Sequence, residues 1–261
     1  MAKTVGKIKK VRYWVRHELL IAMSLYCRIP FGQRHSRNKL VNEVADKINR
    51  SPGSVSRKLG NIASLDPRHQ ARGVGGLPNS SKLDRKVWEE FQENWSAMAE
   101  DSESAFESLN IKTDPLGAFP NFEQSLGPSE TNRIVKTRKL QSFFRHAVLS
   151  SYEHRCALTG LNIPGLLIAS HIIPWSENEH RRADPTNGLC LNVLHDKAFD
   201  RHLITFDENY RLVVSSALKK RNILEFQSSN FSKLEGATLT LPHRFAPDLK
   251  ALEEHRNAFL E

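Results

Sequence analysis

The run from Leu166 to Asp200 leaves the chain few ways to fold. Leu166-Leu167-Ile168-Ala169 is continuous apolar sequence, too short for a core helix, and it ends at Ser170-His171 before a turn at Pro174. This is the signature of a short buried strand. Asn187-Gly188 is a turn signal, and Leu189-Cys190-Leu191 reads as a second short strand. Val193 to about Arg201 reads as a short helix. On it Asp196 and Asp200 stand four apart and so share a face. The order is strand, His, loop, Asn, strand, helix with acidic side chains.

The sequence before this run is helical in pattern. Leu19, Leu20, Met23 and Tyr26 make an apolar stripe on a helix from Trp14 to Tyr26, broken by Pro30 and Gly32. Leu40, Val41, Val44, Ala45 and Ile48 fit a second helix. Ser51 before Pro52 is an N-cap with proline at the first helical position, and a third helix runs to Leu65 with Val55, Leu59 and Ile62 inward. Helix, short turn, helix is the layout of a helix-turn-helix unit. Ser54, Ser56, Arg57, Lys58 and Asn61 would then face outward, as polar and cationic side chains suited to base edges and phosphates. An ordinary three-helix bundle with a solvated basic face fits the same pattern. Residues 66–81 read as loop, and Ser81 to about Met98 as one helix with Leu83, Val87, Phe91 and Trp95 at helical spacing. Residues 99–132, acidic and carrying Ser, Pro and Gly, read as a linker on which Phe106, Phe119 and Phe122 would dock. A helix from Thr137 to Tyr152 presents Leu140, Phe143, Phe144, Ala147 and Val148 to a core. Leu203–Phe206 and Arg211–Val214 form a hairpin around Asp207-Glu208-Asn209, and a final helix runs to Leu260. The expected organisation is therefore α+β. Residues 1–98 form a helical, helix-turn-helix-like domain, 99–132 a linker, and 133–261 a second domain.

Charge follows these divisions. The net charge of +9 is made of +14 over residues 1–88, −9 over 89–130 and +4 over 131–261. Such asymmetry points to a polyanion-binding N-terminal part, although basic charge alone serves solubility equally well. Cys27, Cys156 and Cys190 are scattered and make neither a disulfide framework nor a zinc ribbon. No apolar run approaches bilayer length, and no signal-peptide core follows the basic N-terminus, so no membrane partner and a cytoplasmic location are expected.

The motifs Cys156-Ala157-Leu158-Thr159-Gly160, Ala169-Ser170-His171-Ile172-Ile173-Pro174-Trp175 and Asn187-Gly188-Leu189-Cys190-Leu191, running into His195-Asp196-Lys197-Ala198-Phe199-Asp200, resemble the HNH endonucleases, in the branch found in bacterial restriction enzymes. That resemblance implies a ββα-metal core and hydrolysis of DNA phosphodiester bonds. His171 would be the general base, because an imidazole titrates near neutrality. Asn187 would tie down the loop that orients it. The position nine residues after the motif Asn, where the family often has His, is Asp196 here. Asp196 and Asp200 would bind a hard cation, Mg²⁺ or Mn²⁺. His195 is the alternative ligand, better suited to Zn²⁺, Ni²⁺ or Mn²⁺. Ser170 departs from the Asp or His that many relatives carry before the catalytic His. Arg145, Lys197 and Arg201, with Arg181 and Arg182, are candidate phosphate contacts, and solvated charge is the plain alternative. Trp175 reads as core or lid. The implied partners are double-stranded DNA, a second copy of the chain if both strands are cut, and a cognate DNA methyltransferase. Two rival readings stay open: a DNA-binding regulator with a core that no longer cuts, and a structure-specific nickase.

Overall fold

The computed structural model describes residues 12–71, 80–112, 128–219 and 224–259. The glycine-rich loop at 73–76, the basic run at 1–10, Phe119, Phe122 and Leu260 lie outside them. The fold is α+β: a helical N-terminal part, then a segment with small antiparallel sheets.

At the centre of the helical part is α1 (Arg16–Arg28). Glu18, in its first turn, accepts from the Val15 N–H and also pairs with Arg12 and Arg50, so one carboxylate starts the helix and anchors its neighbours. Ile29, extended before Pro30, ends it. Every residue from Glu18 to Arg28 is buried, rather than one stripe, because α3 (Pro52–Ala63), α5 (Lys82–Glu93), α6 (Trp95–Glu107) and α7 (Pro128–Ser151) pack around it. The polar positions on this helix are paired: Arg28 grips Glu103 at 2.5 Å, and Ser24 donates to the same carboxylate.

Asn38 caps α2 (Lys39–Lys47) by accepting from Leu40 and Val41 N–H, and Ser51 caps α3 by accepting from Ser54 N–H. Val41, Val44, Ala45, Val55, Leu59 and Ile62 are buried between these helices and α1. The short α4 (Pro67–Ala71) follows.

The single helix expected from Ser81 to Met98 is two. Ser81 and Asp84 form a reciprocal capping box at the start of α5. Asn94 then leaves helical geometry, and its side chain caps α6 by accepting from Ala97 N–H. Helix α6 continues to Glu107, inside the stretch read as linker. The acidic composition there has a local cause: Glu103 meets Arg28, while Glu100 and Glu107 pair with Lys136 and Lys139 of α7 at 2.8 and 3.1 Å.

Two hydrophobic cores meet on α7. Leu140, Phe143 and Ala147 belong to the core of the helical part. Phe144, Val148 and Leu149 belong to the second core. That second core is built on β1 (Leu167–His171) and β2 (Gly188–Asn192), antiparallel, with Ser170 opposite Leu189 and His171 opposite Gly188. Helix α8 (Val193–Asp200) follows β2 directly, capped by Asn192. The hairpin β3 (Ile204–Phe206) and β4 (Leu212–Val214) extends the same core. Short α9 (Glu225–Asn230) follows, and α10 (Leu249–Asn257) packs on β3.

The tail closes the molecule through Arg244, which is 0% exposed. Its guanidinium donates to the carbonyls of Tyr26, Cys27 and Ile29 at the end of α1 and to Ser150 and Ser151 of α7. Those carbonyls belong to the helix end that has no intrahelical donors of its own.

Candidate active site

His171 ends β1, held on several sides. Its ring stacks on Phe144 of α7, with centroids 3.7 Å apart and planes 11° from parallel. Trp175 meets it edge-on at 5.6 Å. Nε2 lies 3.0 Å from the Arg182 carbonyl. A carbonyl only accepts, so Nε2 carries the proton and Nδ1 keeps a lone pair. Nδ1 has no hydrogen-bond partner among the described residues and is not one of the sealed polar atoms. Burial lowers the pKa of the ring, with the Arg182 carbonyl and the Asp184 carboxylate pulling the other way. The imidazole is therefore neutral near pH 7 and offers one basic nitrogen.

The loop from Ile172 to Asn187 supplies that carbonyl, and Asn187 fixes the loop. Asn187 is 1% exposed, accepts from Ile173 N–H at 2.8 Å and donates to Ile173 O at 3.1 Å, while its backbone carbonyl accepts from Ile172 N–H at 3.0 Å. Within the loop, Arg182 donates to Trp175 O, lies against the Trp175 ring and pairs with Glu179. Arg181 pairs with Asp184 and Asp248. Both cations brace the loop instead of standing free for phosphate.

Gly188 is required by this packing. A Cβ there would lie 2.5 Å from Val148 Cγ2 and 2.8 Å from Phe144 Cζ, closer than side chains approach. The missing side chain is what lets α7 come near enough to lay Phe144 over His171.

Across β1, Ser170 faces α8. Ser170 is 2% exposed, and its hydroxyl makes no hydrogen bond of ordinary geometry. Asp196 lies beside it. Burial and the neighbouring Asp200 charge push Asp196 up to about 6, with Ser170 and Lys197 pulling weakly down. Lys197 reaches Asp200 only at 4.0 Å. Ser170 beside Asp196, with the Asp200 charge close to that carboxylate, is an oxygen donor set of the chemistry that suits a hard divalent cation. Among the described residues no group of three or more His, Cys, Asp or Glu gathers to hold a metal, so an ion bound here would depend on these two carboxylates and other oxygen donors.

His195 is placed differently from the expectation of a ligand. It is 0% exposed, accepts at Nδ1 from Asn192 Nδ2 at 3.0 Å and donates from Nε2 to Asn230 O at 2.8 Å, with its ring against Phe231. Both nitrogens are committed to the fold. It also lies near Cys156; burial pushes that thiol up, and its polar surroundings at His195, Thr159 and Leu158 bring it down to about 7.

The candidate DNA contacts divide in the same way. Arg57 and Arg201 are exposed, and Lys197 is largely so. Lys58 is not: its ammonium is buried 2.7 Å from Asp84 and lies over the Trp14 ring. Its position already carried the signal, since Lys58 falls three after Val55 and four before Ile62, on the inward face. Ser56 donates to Arg34 O, Ser54 closes the cap with Ser51, and Asn61 is half-buried. Arg145 is half-buried and donates to Leu167 O at 3.0 Å. Sequence reasoning missed Phe144 as a wall of the site, Asp184 as a neighbour of His171, and the Arg182 carbonyl. Only Phe144 could have been found, from its helical spacing with Val148.

Among the described residues no helix is long and apolar enough to cross a membrane. A search of curated proteins finds no match to the chain. The model of a family described as HNH endonuclease matches residues 156–207, the span that runs from Cys156 through the β1–β2 pair and α8 into the following hairpin. Residues 156–207 are thus an HNH-type segment, similar to the HNH endonuclease family.

Proposed function

We propose that this chain is a metal-dependent DNA endonuclease in which His171 is the general base. One observation carries the reading: Nε2–H is tied to the Arg182 carbonyl, so the free Nδ1 lone pair is held in one direction at the end of β1. Nδ1 takes a proton from water as the water oxygen attacks phosphorus. The bond from phosphorus to the 3′-oxygen breaks, and solvent reprotonates the leaving oxygen, giving 5′-phosphate and 3′-hydroxyl ends. The Arg182 carbonyl stabilises the imidazolium formed at Nε2–H, and Asn187 keeps that carbonyl's loop in place. Asp196 and Asp200, with Ser170, would hold Mg²⁺ or Mn²⁺. Such an ion supplies positive charge against the phosphate and the leaving oxygen. Double-stranded DNA is the substrate, with Arg57, Lys197 and Arg201 as backbone contacts. Restriction-type defence is the role we favour, supported by the joining of a nuclease domain to a basic helical part. A second copy would provide the second cut, and a methyltransferase would protect the host's own sites.

A plasmid-nicking assay tests this. Wild type with Mg²⁺ or Mn²⁺ should cut, excess EDTA should stop cutting, and His171→Ala should slow it by about 10²- to 10⁴-fold with DNA binding kept. Cutting by His171→Ala at the wild-type rate would refute the assignment of the base. Tight binding without cutting in any metal would favour the regulator.

A further inference from the structure

We infer that Phe144, on α7 and outside the matched nuclease segment, is a positioning residue for His171. The inference rests on His171 being the base. A hydrogen bond at Nε2 fixes where one ring atom lies but leaves the ring free to swing about that contact. A flat aromatic surface at 3.7 Å and 11° removes the remaining freedom, because any tilt drives imidazole atoms into the benzene ring. Trp175, at 88°, blocks the edge. The surface itself is anchored. Phe144 is 2% exposed, its tip abuts Gly188, and Phe143, one residue earlier, stacks on Phe91 at 6.1 Å in the core of the helical part. The pairing of His171 with Gly188 across β1 and β2 brings these features together, since the one residue that must lack a side chain lies opposite the base. Helix α7 therefore supplies one wall of the active site while belonging to both cores.

Phe144→Leu is the informative change, since it keeps an apolar side chain and removes only the flat face. Tyrosine is unsuitable because its hydroxyl would extend from Cζ towards Gly188. Phe144→Leu should lower kcat for plasmid cleavage about 10- to 100-fold, as small misplacements of a reacting group do, with KM for DNA within about twofold of wild type. Gly188→Ala, which displaces the same ring, should do likewise, and the double variant should be no worse than the poorer single one. In ¹⁵N-histidine NMR spectra, wild type should show a His171 Nε2–H signal, and Phe144→Leu should broaden or abolish it. Wild-type kcat in Phe144→Leu, or an unchanged Nε2–H signal, would overturn the inference. If no form of the protein cuts DNA, the base assignment falls by itself. The ring signal still decides the positioning claim: its loss in Phe144→Leu upholds it, and its persistence refutes it.

Discussion

The helical part and the nuclease part treat their charges in opposite ways. In the first, three buried pairs are closely matched: Arg28 with Glu103, Arg50 with Glu18, Lys58 with Asp84, each at 2.5 to 2.7 Å and nearly out of water. In the second, Asp196 and Asp200 stand one turn apart on α8, Lys197 reaches Asp200 only at 4.0 Å, and burial with the Asp200 charge pushes Asp196 up to about 6. Matched pairs hold helices together and have no capacity left for a ligand. Like charges held side by side cost stability, and a bound cation would relieve that cost. The positive balance of the N-terminal part is therefore not a count of its free cations, because several of them are consumed inside.

This contrast can be broken by substitution. Lys58→Ala should have the largest effect on stability, about 3–5 kcal/mol lost in urea unfolding, because it leaves Asp84 buried without its cation. A loss below about 1 kcal/mol would mean that Lys58 is a surface residue after all. Asp196→Asn should do the reverse. Cleavage should fall about 10²- to 10³-fold, since the charge held at the phosphate is worth several kcal/mol, while the melting temperature holds or rises. A large drop in melting temperature would show the carboxylate to be structural. Arg57→Ala should have the smallest effect: DNA binding weaker by about 1 kcal/mol and a slope of log K against log salt shallower by about 1. An unchanged slope would place α3 away from the DNA.

What the sequence disclosed follows the range of the forces involved. The order of strands and α8 was legible because apolar runs bounded by turn residues report local geometry. The caps at Ser51 and Pro52 were legible for the same reason. The break at Asn94 was obscured because Trp95 continues the spacing of Phe91 and both are buried; the backbone changed helix without changing face. The enclosure of His195 depends on Asn230, and the burial of Lys58 on Asp84, partners distant in sequence. The hydrogen bond that sets the His171 tautomer comes from a backbone carbonyl, which every residue type possesses and no sequence pattern advertises.

Arg244 has a consequence for the order in which the molecule can be made. The last carbonyls of α1 receive donors from a residue more than two hundred positions later. Synthesis must have passed position 244 before that end of the helix is satisfied, so a helix made early is completed late, after the matched segment 156–207 has already been made.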